Sequence, residues 1–162
     1  MLLLVVPAIG YVFTSGMLCS CVGTAVRCGD SIRLTHAATM RNLHSHHFRS
    51  PVSRNQEVSA FGSDGEGDDG DVWVVQCAPG HDGVWRRGAS VTLRHTATAA
   101  YLRSHASDEF TPANCPNCPI HGQHEVSAVP RAGDPNTVWR VDDYGIYFGG
   151  DVRYSTPIHN GA

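Results

Sequence analysis

The chain contains no lysine, and it concentrates positive charge nowhere. Its 162 residues include 12 basic residues, all of them arginine, and 15 acidic residues, for a net charge of -3. The arginines form no long basic run and do not alternate with aromatic residues. Nucleic-acid-binding domains carry positive surfaces because they must neutralise phosphates. The sequence therefore argues against a nucleic-acid partner.

Motifs of known enzyme classes are lacking as well. The sequence has no G-x-S-x-G nucleophile elbow, no phosphate-binding loop ending in Gly-Lys, and no H-E-x-x-H zinc motif. No stretch combines helical periodicity with helix caps, so little helix is expected. We predict a protein that is not an enzyme and that needs no cofactor.

The N-terminal segment lacks charge, because the first charged residue is Arg27. We interpret residues 1–25 as a secretory signal peptide or another hydrophobic N-terminal segment, since Gly23 and Ala25 are small, as a signal peptidase requires. No basic residue precedes the apolar run, so a membrane anchor, an incorrectly assigned start and a buried strand remain alternatives. Contact with a membrane is expected only if the segment stays uncleaved.

The rest of the chain contains an internal repeat. Residues 27–46 and 86–105 align without a gap, 59 positions apart, and half of the aligned positions are identical. Repeats of this length, built of short strands, indicate a stacked or symmetric β architecture. A β-trefoil needs three such units and a propeller at least four. With two units present, we predict an all-β fold, an incomplete β-trefoil with two clear repeats and a closing strand.

Alternation of apolar and polar residues predicts four strands in each copy. In the first copy, 27–77, the strands are 31–35, 42–46, 56–61 and 71–76; in the second, 86–141, they are 90–94, 100–104, 125–129 and 137–141. A closing strand is predicted at 145–148, which ends a domain at 26–148, and a flexible tail at 149–162. Trp73 and Trp139 hold matching positions and are expected to anchor the core.

Several segments of the chain resemble the stromal cell-derived factor 2 family. They are residues 28–29, 32–36, 41–48, 50–51, 55–62 and 65–68. That family is built of MIR repeats, which also occur in protein O-mannosyltransferases and in inositol trisphosphate and ryanodine receptors. The resemblance implies a β-trefoil of three MIR repeats, of which the first is missing here. The insertion at 106–122 has no counterpart that we know in the family.

The resemblance also implies a cellular role. It places the protein in the endoplasmic reticulum lumen or secretory pathway, although the chain ends without an HDEL-type retention signal. It implies a J-domain co-chaperone, the lumenal Hsp70, and misfolded or O-mannosylated client proteins as partners. Our first hypothesis is therefore protein quality control without catalysis. The alternatives are a domain that binds mannosyl glycans and an accessory MIR module of a protein O-mannosyltransferase.

Candidate binding residues lie on the second strand of each copy. Alternation along a strand puts His44 and His46 on one face. No carboxylate or cysteine is tied to them locally, so a structural or ligand-surface role is favoured over a metal. A sugar site would need an exposed aromatic ring, for which Tyr101, Phe110 and Tyr144 are candidates. The residues that we predict to bind a ligand or client are Arg41, His44, His46, Tyr101, Arg103 and His105.

Four cysteines lie inside the repeats. Cys28 opens the first copy and Cys77 closes it, so a disulfide between the adjacent ends is reasonable, with two buried free thiols as the alternative. The second copy carries a compact run that offers the donor atoms of a zinc site, made of Cys115, Cys118, His121 and His124. Structural zinc sites usually separate their ligand pairs more widely. A local disulfide or inert cysteines are therefore favoured over zinc, and thiol exchange is a third alternative.

An acidic run at residues 64–71 resembles a calcium loop in composition. It does not fit the EF-hand pattern, because Asp69 takes the place of the required glycine and Val75 that of the bidentate glutamate. We predict a solvated turn between the third and fourth strands.

Overall fold

The computed structural model describes the backbone of residues 3–7 and the whole of residues 25–141. Within these ranges the chain forms nine strands and two short 3-10 helices, and it contains no α-helix. The strands are β1 Leu3–Pro7, β2 Ser31–His36, β3 Arg41–Arg49, β4 Gln56–Phe61, β5 Trp73–Cys77, β6 Ser90–His95, β7 Tyr101–Glu109, β8 His124–Val129 and β9 Val138–Arg140. The 3-10 helices are Asp69–Asp71 and Pro135–Thr137.

Seven of these strands close into a β-barrel sheet. The order is β2-β3-β4-β8-β7-β6-β5, and β5 pairs back with β2 through Ile32 and Trp73. All pairings are antiparallel; β1 pairs with β2 along its whole length, and β9 pairs with β6. Closure leaves fewer unpaired strand edges, which in an open sheet would invite pairing with other chains. The predicted all-β class is confirmed.

The core is built by the alternation that the sequence showed. In β2, Ile32 and Leu34 are buried, and in β6 Val91 and Leu93 occupy the same positions. Trp73 is fully buried at the start of β5 and packs with Trp85 in one apolar cluster. Burial of such side chains removes apolar area from water and is the main favourable contribution to folding.

Matching positions of the two copies make matching hydrogen bonds. The indole Nε1 of Trp73 donates to the carbonyl of Leu43 at 2.9 Å, and that of Trp139 donates to the carbonyl of Leu102 at 2.8 Å. The single N–H donor of each indole, buried in Trp73 and partly buried in Trp139, is thus satisfied.

The turn between the first two strands is also the same in both copies. His36 Nδ1 and Thr39 Oγ1 lie 2.7 Å apart, as do His95 Nδ1 and Thr98 Oγ1. The next residue adopts a positive φ in each case, 51° in one copy and 60° in the other.

The observed strands differ from the predicted ones mainly at their ends. β3 and β7 run on to Arg49 and Glu109, beyond a register shift that follows Ser45 and Ser104. Apart from Phe48, the residues of those extensions are polar or small, and the register shift breaks the alternation there, so the hydrophobic pattern did not show them. The fourth strand of each copy starts later than predicted, because a 3-10 turn precedes it. The predicted strand at 145–148 and tail at 149–162 lie outside the described residues.

Residues 3–7 pair as a strand with β2, while residues 8–24 lie outside the described part; the signal-peptide interpretation of 1–25 stays a prediction. Among the described residues, no helix has the length and apolar character needed to cross a lipid bilayer.

Candidate functional site

A buried polar cluster lies where β3 meets the first 3-10 helix. The ring of His44 is 8% exposed and the carboxylate of Asp71 is fully buried. His44 Nδ1 donates to Asp71 Oδ1 at 2.9 Å, and it lies 3.4 Å from Asp68 Oδ1. No carboxylate lies close to His44 in sequence, but the 3-10 helix and its N-cap bring two carboxylates to it from 24 and 27 residues away.

Both carboxylate oxygens of Asp71 accept hydrogen bonds. Its Oδ2 accepts from the Asp68 backbone N–H at 2.7 Å and from Asn42 Nδ2 at 3.3 Å. Asn42 in turn accepts a hydrogen bond from the hydroxyl of Thr35 at 2.8 Å. Buried carboxylates are tolerated only when hydrogen bonds replace their lost hydration. The predicted solvated turn is therefore wrong for Asp71, although Asp68 and Asp69 are exposed.

Two glycines let the acidic loop approach β3. A Cβ on Gly70 would lie 2.3 Å from His44 Cε1, and one on Gly67 would overlap the carboxylate of Asp71. Any side chain at either position would push the 3-10 helix away from His44. The glycines of the acidic run thus serve close packing, which composition alone did not show.

His95 lies beside this cluster and is fully buried. Its Nε2–H donates to the carbonyl of Gly70 at 2.9 Å, so Nδ1 accepts from the hydroxyl of Thr98. Burial lowers the pKa of His95, because desolvation penalises the imidazolium; the bond to Gly70 opposes this effect. Neutral His95 links the second copy to the acidic loop of the first.

Stability should fall below about pH 6.5 because of His95. Its pKa is lowered in the folded state, whereas in the unfolded chain a histidine takes up its proton near 6.5. The contribution of neutral His95 is therefore complete above that pH and declines as the pH drops, by at most about 1.4 kcal/mol per pH unit. Urea denaturation at pH 7.5, 6.5 and 5.5 in EDTA measures this slope for the parent chain and His95→Gln.

Glutamine retains a donor that can reach Gly70 but cannot titrate, so the variant should show a shallower slope. An unchanged slope would assign the pH dependence to other groups. His36→Gln is the control, because it removes the equivalent hydrogen bond to Thr39 in the first copy. Its loss of unfolding free energy at pH 7.5 measures what that hydrogen bond alone contributes.

A row of four rings runs from Phe61 on β4 across His44 to His46 and Phe48 on β3, and we call it the aromatic stripe; the two phenylalanines at its ends are exposed, whereas His44 is buried. Neighbouring ring centroids are 4.7, 5.5 and 4.7 Å apart in that order. Phe48 is 72% exposed and Phe61 is 48% exposed. Large exposed rings grouped in this way indicate a surface for interaction rather than for folding.

An open groove of about 400 Å³ lies at the Phe61 end of the stripe. Its lining is Arg41, Phe61, Gly62, Ser63, Glu66 and Gly67. The guanidinium of Arg41 is exposed and donates to the carbonyl of Gly62 at 2.7 Å. An aromatic face beside charged and hydroxyl groups can bind a peptide or a sugar.

The predicted binding residues do not form one site. Arg41, His44 and His46 lie together on β3, whereas the other three lie on β7, with β4 and β8 in between. Arg103 forms ion pairs with Asp108 and Asp134, at 2.5 and 3.4 Å, and its side chain is 13% exposed. His105 contacts the hydroxyl of Ser107 at 2.7 Å. Tyr101 and Phe110 are half-buried, and Tyr144 lies outside the described residues.

The four cysteines of the repeats form two disulfides. Cys28 is bonded to Cys77, with Cα atoms 5.6 Å apart, and Cys115 is bonded to Cys118. The compact run in the second copy is therefore no zinc site in this state, because a disulfide offers no thiolate. His121 instead contacts the carbonyl of Cys115 at 2.7 Å, and His124 is exposed at the start of β8.

Sequence reasoning missed Phe48 and Phe61, which are the exposed rings, and it missed the pairing of Asp71 with His44. Phe48 continues the alternation of His44 and His46, so the strand period could have placed it on the same face. Nothing local pointed to Asp71, because its burial depends on contact with a distant strand.

The chain is similar in sequence to proteins of a known family. The family model described as MIR domain matches residues 12–113. Stromal cell-derived factor 2-like protein 1 of Homo sapiens is 47% identical over 133 residues, which are 82% of this chain and 55% of that protein. The stromal cell-derived factor 2-like protein of Dictyostelium discoideum is 42% identical over 78% of this chain and 55% of its own length. The chain thus spans about half the length of these curated relatives.

Solved structures show the same similarity. The SDF2-like protein from Arabidopsis thaliana superposes with a TM-score of 0.69 at 33% identity, over 85% of this chain and 67% of that one. A chain of the S. cerevisiae protein O-mannosyltransferase Pmt1-Pmt2 complex bound to the sugar donor gives a TM-score of 0.65 at 27% identity, over 85% of this chain and 20% of that one. By sequence and by fold, this chain belongs to the MIR-domain family and is similar to the stromal cell-derived factor 2-like proteins.

Proposed function

We propose that this chain is a non-catalytic MIR-domain protein of the endoplasmic reticulum lumen that acts in protein quality control. It binds misfolded or O-mannosylated clients together with a J-domain co-chaperone and the lumenal Hsp70. The observation that carries the proposal is the pair of exposed phenylalanine rings at the two ends of the aromatic stripe, on a closed sheet. Membership of the stromal cell-derived factor 2-like family supports it.

The shallow surface of the stripe suits an unfolded client segment better than one rigid, folded partner. Its two phenylalanines offer apolar surface without a deep pocket, and the partly exposed His46 between them can accept or donate hydrogen bonds. An unfolded segment exposes scattered apolar side chains, so it can cover such a surface in more than one register. Occupying those side chains slows aggregation while the Hsp70 completes its cycle.

Client binding should depend on the two exposed phenylalanines. We expect Phe48→Ser combined with Phe61→Ser to weaken binding of a chemically unfolded model client about tenfold or more, because each ring contributes about 1–2 kcal/mol when covered. Fluorescence anisotropy of a labelled client measures this affinity. Light scattering with purified J-domain co-chaperone and lumenal Hsp70 then measures suppression of aggregation.

Val138→Ser is the matched control, because Val138 is 51% exposed but lies on β9, away from the stripe. It should bind the client as the parent chain does. Equal losses in both variants would mean that general surface hydrophobicity, not the stripe, binds the client. No binding by the folded parent chain would contradict the proposal.

A second candidate function is recognition of mannosyl groups, as a glycan-binding domain or an accessory MIR module of a protein O-mannosyltransferase. The groove favours it, since Phe61 stands beside Arg41, Ser63 and Glu66, and the yeast complex shares the fold. Titration with methyl α-mannoside, followed by NMR, separates the two candidates. Shifts confined to the groove would support the sugar, and an unchanged spectrum would exclude it as a ligand of this chain.

A further inference from the structure

We propose that His44, Asp68 and Asp71 bind a divalent transition-metal ion such as Zn²⁺. The inference is independent of client or glycan binding. Two carboxylates and one imidazole present donor atoms within 4.8 Å of one another. This set differs from a surface cluster of acids, because the imidazole and one carboxylate are buried.

The spacing of the donor atoms suits tetrahedral zinc. Zn–N and Zn–O bonds of about 2.0–2.2 Å place neighbouring ligand atoms about 3.3 Å apart. His44 Nδ1 lies 2.9 Å from Asp71 Oδ1 and 3.4 Å from Asp68 Oδ1. An ion would replace the proton that Nδ1 now shares with Asp71, and the neutral ring would carry its proton on Nε2. These two distances are within a few tenths of an ångström of that value, and the two carboxylate oxygens lie within 4.8 Å of each other.

The surroundings already hold the ligands in place. Asp71 Oδ2 is fixed by the Asp68 backbone N–H and by Asn42, which leaves Oδ1 for the ion. Such outer hydrogen bonds orient metal ligands and raise affinity. The Asp68 side chain is 57% exposed, so the fourth position faces water and an ion has a path to enter.

The negative charge of the two carboxylates would attract a cation to the first copy. In the second copy an arginine takes that role. There the position of His44 is taken by Arg103, whose permanently charged guanidinium forms ion pairs with both Asp108 and Asp134. Asp134 matches Asp68, but the counterpart of Asp71 is the uncharged Thr137. The first copy thus has two carboxylates around a group that is cationic only when protonated.

Other charges near the first cluster do not balance it. Arg33 contacts this loop, and its Nη2 donates to the backbone carbonyl of Asp68 at 3.2 Å. Arg41 lines the groove beside Glu66 and donates to the backbone carbonyl of Gly62. Glu66 and Asp69 on the same loop are exposed and add negative charge. A divalent ion would neutralise the two inner carboxylates without protonation of His44.

Isothermal titration of the EDTA-dialysed, oxidised chain with Zn²⁺ at pH 7.5 tests the site, with the Co²⁺ absorption spectrum reporting coordination. We expect one ion per chain and a rise in melting temperature with Zn²⁺ concentration. Asp68→Asn should weaken binding more than tenfold, since even lost outer-shell partners cost about 10–100-fold. It should still fold, because asparagine caps a helix as well as aspartate does. His44→Gln should have an equal or larger effect.

Two controls remove the same charge elsewhere. Asp69→Asn alters the neighbouring exposed carboxylate, and Asp134→Asn alters the matching cap of the second copy; both should bind Zn²⁺ within about threefold of the parent chain. Absence of binding by the parent chain would overturn the proposal. Binding that survives both Asp68→Asn and His44→Gln would also overturn it, because the ion would then occupy other histidines, such as His46, His121 or His124.

Discussion

Replacing Cys28 and Cys77 together by alanine is expected to lower the free energy of unfolding by about 4 kcal/mol, the largest effect that we predict. The disulfide joins residues 49 positions apart. Chain-entropy reasoning gives a cross-link of this loop length roughly 4 kcal/mol, because it restricts the unfolded chain. It also ties the start of the first copy to the end of β5, which β6 and β2 both pair with.

Cys115→Ala with Cys118→Ala is the matched control. Its disulfide spans a separation of 3, so the same reasoning gives about 1.6 kcal/mol. Urea denaturation of the parent chain and the two double variants measures the difference. Equal losses in the two variants would show that loop length does not determine the stabilisation, and no loss for the Cys28 and Cys77 pair would contradict the prediction outright.

Glu125→Ala should cost about 3 kcal/mol, the second largest effect. Glu125 on β8 is 4% exposed, and its carboxylate accepts from the backbone N–H groups of Val52 and Ser53 at 2.8 and 3.1 Å. The Ser53 hydroxyl donates to it as well. Removing the carboxylate leaves three donors of the connecting loop without a partner, and buried unpaired donors cost more than the bonds themselves contribute. Hydrogen exchange at Val52 and Ser53 should accelerate in parallel.

Glu57 is the matching residue of the first copy and supplies the control. Its side chain is 39% exposed and lies 3.8 Å from the ring of His46, so Glu57→Ala should cost less than about 1 kcal/mol. Both variants are compared by chemical denaturation at pH 7.5. Equal costs would mean that the recurring glutamate acts through its strand position and not through the loop that it holds.

Residues of the acidic loop show how far sequence reasoning reached. The residue pattern separated the loop from the EF-hand motif, and strand alternation placed His44 and His46 on one face. Neither could show that Asp71 is buried, because burial results from contact between the 3-10 helix and β3. Sequence distance also hid the role of Glu125, whose partners lie 72 and 73 residues away.

The cysteines also show which features the sequence predicts and which the fold decides. Cys28 and Cys77 could be paired in principle because a four-strand unit brings its ends together, yet free thiols were equally consistent with the sequence. Proximity in the fold decided between them. In the second copy, the run of Cys115 to His124 suited zinc in composition, but the loop bonds its cysteines to each other and turns His121 toward a backbone carbonyl.

The sequence by itself determined the β class, the doubled strand pattern, the tryptophan anchors and the family. These follow from local periodicity and from side-chain type, which each segment carries wherever it is placed. Tertiary structure decided the closed order of strands, the aromatic stripe, and the different partners of His44 and Arg103 at matching positions. Those features depend on which distant segments meet, and the small differences in burial and charge that choose their partners arise only when the chain folds.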